Sequence, residues 1–136
     1  MLPSLQRIDH IHVYVSDRNA AELWYRTVLG LVRVAELESW TRDGGPLTLA
    51  NAGGEIHLAL FERPAQPCHS TIALAVNAEN FLAWREHLRG VPGLAVELED
   101  HDVSWSLYFR DPDGNPYEIT SYEYELLASS LRPVTG

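Results

Sequence analysis

The chain has 136 residues, of which 46% are hydrophobic and 21% are charged, and this length suits one domain that buries its own core. The net charge of −9 argues against nucleic acid as a partner, and the lone Cys68 excludes an intrachain disulfide. No apolar run approaches the roughly 20 residues of a membrane span and the N-terminus lacks a signal-peptide pattern, so we expect a cytoplasmic protein with no membrane segment.

The first half of the chain predicts a strand, a helix and three more strands. The run HIHVYV at residues 10–15 alternates polar or aromatic residues with aliphatic ones, which is typical of a strand with one core face. Ser16 or Asp17 can cap a helix that ends at Gly30. The segments LVRVAELES, GPLTLAN and EIHLALFER then predict three strands, with glycine pairs between them.

The second half of the chain predicts the same order of elements. The run TIALAV at residues 71–76 predicts a strand, Asn77 can cap the helix that follows, and Gly90 can end it. The segments LAVELED, SWSLYFRD and PYEITSYE predict three further strands. The DPDGN run at residues 111–115 predicts the tight connection between the last two.

The two halves therefore form an internal repeat, weak in identity but consistent in pattern at an offset of 61 residues. We expect a single domain over residues 1–136, with one module at about 6–63, a second at about 68–125 and a C-terminal tail at 126–136. Each module has the order βαβββ. The predicted fold class is α+β, with the two modules forming a cupped antiparallel sheet and the helices on the outside.

The strand faces opposite the aliphatic residues carry small and polar side chains, which suit the lining of a cup better than a dense core. The offset of 61 aligns His10 with Thr71 and His57 with Glu118. Two imidazoles and a carboxylate suit a divalent Fe, Mn, Zn or Ni ion that keeps open positions for substrate or water. The alternative stays open that each histidine is only a hydrogen-bonded, half-buried strand residue.

Three more residues are predicted to line the pocket. His12 shares a face with His10, but two residues along a strand lie about 6.6 Å apart, so both should not ligate one ion unless the strand bends. Thr71 occupies the fourth position of the predicted site, beside the three candidate ligands. His69 lies two residues before Thr71 and could move into that fourth position, although a water ligand there is the simpler arrangement.

Four segments together resemble the vicinal oxygen chelate superfamily, which includes glyoxalase I, extradiol dioxygenases, fosfomycin-resistance thiol transferases and bleomycin-resistance proteins. They are the opening DHIHVYVSD, the strand GGEIHLALFE, the run TIALAV and the closing hairpin YFRDPDGNPYEI. The resemblance covers nearly the whole chain, and its last segment is the most specific.

The resemblance implies a metal ion held at the first and last strands of the modules, which places candidate ligands at His10, His57, Thr71 and Glu118. Metal-binding members usually carry histidine where this chain has Thr71. Either His57 replaces the missing ligand, His69 shifts in, or the site binds no metal.

Residues 101–118 also resemble the extradiol dioxygenase signature, in which a histidine, a Leu-Tyr pair and a Pro-x-Gly turn precede the ligand glutamate. This implies that His101 and Tyr108 are acid/base groups near the substrate, with Glu118 as ligand. Glu99 departs from the signature, which prefers a small or β-branched residue at that point. The same turn occurs in members that are not oxygenases, so it indicates fold before chemistry.

Two functions of different class follow. The first is a metal-dependent enzyme that binds a small molecule through vicinal oxygens, either a dioxygenase with Fe(II) or a lyase or isomerase with Zn(II) or Ni(II) in which Glu118 leaves the metal to act as base. The second is a bleomycin-resistance-like protein that sequesters a small molecule without metal. We expect a homodimer, in which the modules pair within one chain or swap between chains.

Overall fold

The computed structural model describes residues 1–64 and 66–132, and the last four residues of the predicted tail lie outside this part. In chain order the elements are β1 (Ile11–Val15), α1 (Arg18–Leu29), β2 (Val32–Arg33), a 3-10 helical segment (Ala35–Gly44), β3 (Leu47–Ala50), β4 (His57–Glu62), β5 (Ile72–Ala75), α2 (Ala78–Arg89), β6 (Glu97–Asp100), β7 (Trp105–Arg110), β8 (Pro116–Ser121) and α3 (Tyr124–Leu131). Two compact units result, Met1–Gln66 and Pro67–Gly136. Within the described part, no helix has the length and apolar character that a membrane crossing requires.

Unit one contains a four-stranded sheet in the order β1-β4-β3-β2, with α1 against β2 and β4. Asp17 caps α1 by accepting a hydrogen bond from the Ala20 amide at 3.0 Å. Gly30 ends the helix in the left-handed region, at φ 70°, where a residue with a Cβ would be strained. The aliphatic faces of β1 and β4 supply much of the core, since Val15 and Leu60 are fully buried.

Unit two repeats this plan in the order β5-β8-β7-β6, with α2 against β8 and α3 against α2. Asn77 caps α2 by accepting a hydrogen bond from the Asn80 amide at 2.8 Å. Phe81 and Leu88 on α2 and Leu107 on β7 are fully buried. The α+β fold predicted from the repeat is confirmed.

Each sheet is mixed, whereas the sequence predicted antiparallel sheets. The β1–β4 and β5–β8 pairs are parallel and the other pairs are antiparallel. The reason lies in the connections: the helical crossover returns the second strand of each module parallel to the first, and the meander that follows reverses direction twice. The last strand of each module therefore runs in the direction of the first.

The predicted strand over LVRVAELES is mostly wrong, because only Val32–Arg33 pairs and Ala35–Gly44 is 3-10 helical. Glu36 and Leu37 favour helical over extended backbone. Arg18 on α1 donates hydrogen bonds to the carbonyls of Thr41 at 3.3 Å and Gly45 at 2.7 Å, so the segment ends with satisfied acceptors.

The repeat is not exact in register. Ile11 pairs with Leu58 in unit one, but its counterpart Ile72 pairs with Tyr117 in unit two. The first strands therefore correspond at an offset of 61 residues and the last strands at 59. The predicted correspondence of His57 with Glu118 is wrong once the first strands are aligned: the counterpart of Glu118 is Ala59.

Candidate functional site

The polar face of unit one lies on β1 and β4. His12 on β1 pairs with Ala59 on β4, and His57 lies two residues before Ala59 on the same face of β4. His10 and His12 are exposed and His57 is half-buried. His12 and the predicted ligand His57 therefore share one face of this sheet, and the predicted ligand His10 directly precedes β1.

The His10 and His12 rings lie together. Their Nε2 atoms are 3.1 Å apart and the rings are stacked, with centroids 5.0 Å apart. His10 Nδ1 also lies 2.9 Å from an Asp9 carboxylate oxygen. The two side chains thus approach more closely than the spacing of about 6.6 Å between same-face positions along a strand.

The polar face of unit two is arranged in rows across the sheet. One row runs from Ala73 through Glu118 and Tyr108 to Glu97, and the next from Ala75 through Thr120 and Ser106 to Glu99. The alanines on β5 are exposed and small, so this part of the face is open.

A buried serine positions the Glu118 carboxylate. Ser106 Oγ donates to Glu118 Oε2 at 2.6 Å and lies 3.2 Å from Thr120 Oγ1, which donates to the Trp105 carbonyl at 3.2 Å. Ser106 is a site residue that was not predicted from the sequence. The signal was its position two residues before Tyr108, which places both side chains on one strand face.

His101 and Tyr108 form a hydrogen-bonded pair beside Glu118. The Tyr108 hydroxyl lies 3.0 Å from His101 Nε2, and the rings meet edge to face. Burial raises the pKa of the Tyr108 hydroxyl, and the nearby Glu118 carboxylate raises that pKa further because it disfavours a second negative charge. Tyr108 is therefore a neutral hydrogen-bond donor near pH 7.

The ionisation of Tyr108 provides a direct check on this network. In an ultraviolet absorbance titration, the difference between wild type and Tyr108→Phe should show a tyrosine pKa above the usual value of about 10. Glu118→Gln should lower that pKa, because it removes the repelling charge. The pKa of Tyr108 is higher in the folded than in the unfolded protein. The protonated hydroxyl therefore contributes to the free energy of unfolding below about pH 10, and this contribution is lost as the pH rises further. A Tyr108 pKa that is unchanged in Glu118→Gln would contradict the proximity of the two groups.

A cleft of about 520 Å³ opens at one end of the unit-two sheet. Its wall includes Thr71 before β5, Glu97 on β6, Tyr108 and Arg110 on β7, and Pro116 on β8. Tyr108 belongs to both the cleft wall and the hydrogen-bonded network. The cleft therefore adjoins the network at this residue.

The predicted pocket residues have different surroundings. Thr71 lines the cleft, and His12 contacts His10 and the Phe61 ring. His69 is exposed in the segment before β5.

A comparison with protein-family models decides the family. The model described as the Glyoxalase/Bleomycin resistance protein/Dioxygenase superfamily matches residues 7–119. The chain belongs to this superfamily. The resemblance inferred from the sequence is confirmed.

Solved structures of the superfamily share the fold at low sequence identity. Fosfomycin resistance protein FosX from Listeria monocytogenes, in complex with Mn(II) and sulfate, is 16% identical, with a TM-score of 0.67 over 96% of this chain and 98% of FosX. The antibiotic-binding protein TnmS3 from a Streptomyces species is 23% identical, with a TM-score of 0.70 over 90% and 100%. A glyoxalase family protein from Bacillus anthracis is 20% identical, with a TM-score of 0.69 over 90% and 100%.

Proteins that share this fold thus include one solved with Mn(II) and one that binds an antibiotic. Two predicted ligands are already oriented: Asp9 contacts the Nδ1 atom of His10, and Ser106 contacts Glu118. Such supporting bonds are typical around metal ligands. In the part of the chain that the structure describes, no group of three or more His, Cys, Asp or Glu side chains is arranged to hold an ion. The donors fit a divalent metal in kind, as imidazole nitrogen and carboxylate oxygen.

Proposed function

We propose that this protein is a metal-dependent enzyme of the superfamily and acts on a small molecule with two vicinal oxygens. The observation that carries the proposal is the network of Glu118, Ser106, Tyr108 and His101 on an open strand face beside a cleft. It combines an oriented carboxylate with a neutral hydroxyl and an imidazole, which are the parts needed to hold a metal and to transfer a proton.

The proposed metal ligands are His10, His57 and Glu118. A divalent Fe, Mn, Zn or Ni ion would supply Lewis acidity to the bound oxygens. Ser106 donates a hydrogen bond to one oxygen of Glu118 and so orients the carboxylate. The support for His57 is its place on the sheet face that carries His12, since the register removes its correspondence with Glu118.

Tyr108 and His101 are the proposed proton-handling groups. Because Tyr108 stays protonated near neutral pH, its hydroxyl donates a hydrogen bond to an oxygen on which negative charge develops. His101, 3.0 Å away and exposed, can return a proton to Tyr108 from solvent.

Oxygen uptake with a panel of catechols, set against turnover of thiol hemithioacetals, distinguishes a dioxygenase from a lyase or isomerase.

A second function is a protein that binds a small molecule without metal. Thr71 supports it, because a poor ligand occupies the position where metal-binding members usually carry histidine, and Thr71 lines the cleft instead. Glu97 and Tyr108 in the same wall would suit a cationic aromatic molecule.

Metal content separates the two functions. Untagged protein purified without chelators should contain about one divalent ion per chain, and His10→Ala and Glu118→Gln should both reduce this content at least about tenfold. His87→Ala on α2 is the matched control and should retain the metal. Equal, negligible metal in all four proteins would overturn the enzyme proposal in favour of metal-free binding.

Assembly and location stay predictions. We propose a homodimer in the cytoplasm, and sedimentation equilibrium of the full chain tests the first part.

A further inference from the structure

We propose that His12 joins His10 as a direct ligand, so that unit one carries a two-histidine chelate for a divalent transition metal ion. The inference rests on the proposed metal dependence and adds a residue to its ligand set. Its basis is the approach of the two Nε2 atoms to 3.1 Å.

The separation of the two nitrogens matches a shared ion. With each nitrogen at about 2.1 Å from the metal, a 3.1 Å separation corresponds to an N–metal–N angle of about 95°. This angle lies near that of adjacent ligands in an octahedral site, the geometry that leaves positions for water or for two substrate oxygens. The 3.1 Å contact is a hydrogen bond between the two rings, so the proton that it holds must be released when an ion takes its place.

Asp9 fixes the chemistry of the His10 ring. Its carboxylate lies 2.9 Å from Nδ1, so that nitrogen carries the proton and Nε2 presents its lone pair. A carboxylate on the far nitrogen of a histidine is a recurrent support of metal-ligating imidazoles.

The His12 ring is held between two aromatic neighbours. It stacks on His10 and lies 4.7 Å from the Phe61 ring on β4. Phe61 is half-buried and pairs with Tyr14 in the strand register, so it belongs to the sheet itself. Ordering the ring before binding reduces the entropy lost when it ligates an ion.

Calorimetric titration of the full, chelator-stripped chain with Zn²⁺ tests the inference. All proteins carry Cys68→Ser, because this exposed thiol could bind zinc by itself. We expect His12→Ala to weaken zinc binding about as much as His10→Ala, by about 100-fold, and Asp9→Asn by about tenfold. His87→Ala is the matched control and should bind as wild type does. With Cu²⁺, electron paramagnetic resonance should lose one nitrogen coupling in His12→Ala.

The outcomes separate this inference from the proposed function. If His10→Ala and Glu118→Gln weaken binding while His12→Ala does not, the inference is overturned and the proposed enzyme stands. If both histidine variants weaken binding and Glu118→Gln does not, the chelate stands and the proposed Glu118 ligand fails. A wild-type chain that takes up no zinc or copper overturns both.

Discussion

Tyr108→Phe is expected to lower kcat/KM of the metal-loaded protein by about 10²- to 10⁴-fold, the usual worth of a positioned proton donor. The substitution removes one oxygen and leaves the ring that lies edge to face with His101. Because Tyr108 is neutral at pH 7, it stabilises developing negative charge in the transition state rather than binding the ground state. The loss should therefore fall on kcat more than on KM.

Tyr122→Phe is the matched control, since this tyrosine is 74% exposed and follows β8 directly. It should leave kcat/KM within about twofold. His101→Gln should lower kcat less than Tyr108→Phe and should change the pH profile, because another base must then return the proton. A Tyr108→Phe protein with unchanged kcat would rule out the assigned role.

Much of the fold could be predicted because its local signals are strong. The caps at Asp17 and Asn77 and the stop at Gly30 occur where the sequence indicates them. The strands of unit two follow the alternation of polar and apolar residues. The 3-10 segment was not predicted, although Glu36 and Leu37 favour helical backbone, and the hydrogen bonds from Arg18 to the carbonyls of Thr41 and Gly45 at its end join separate elements, which no local pattern reveals.

The candidate site was less predictable, because it depends on register and on where strands begin. A single offset of 61 residues aligns the two halves by sequence position alone. The strand pairing differs by two residues between the units, and this difference moves the counterpart of Glu118 from His57 to Ala59. The contact of His10 with His12 depends on the orientations of the two side chains just where β1 begins. Neither feature leaves a trace in hydrophobic periodicity.

The turn before β8 fixes the register of Glu118, and its centre is the buried carboxylate of Asp111. One oxygen accepts from the amides of Asp113 at 2.9 Å and Asn115 at 2.8 Å, and the other accepts from Asn115 Nδ2 at 2.8 Å. Gly114 adopts φ 86°, which a residue with a Cβ would resist. The residues DPDGN thus form a turn in which the carboxylate of Asp111 accepts these hydrogen bonds. Glu118 follows the turn by three residues.

Asp111→Ala should lower the free energy of unfolding by about 3 kcal/mol, because it leaves the buried donors of Asn115 without their acceptor. Urea unfolding measured by circular dichroism gives the value. Asp17→Ala is the matched control, since the same substitution there removes one helix-capping bond and should cost about 1 kcal/mol. A loss for Asp111→Ala no larger than that of the control would mean that backbone pairing alone holds the β7–β8 register. In that case the ultraviolet titration of Tyr108 should be unchanged in Asp111→Ala, because Tyr108 would still face Glu118.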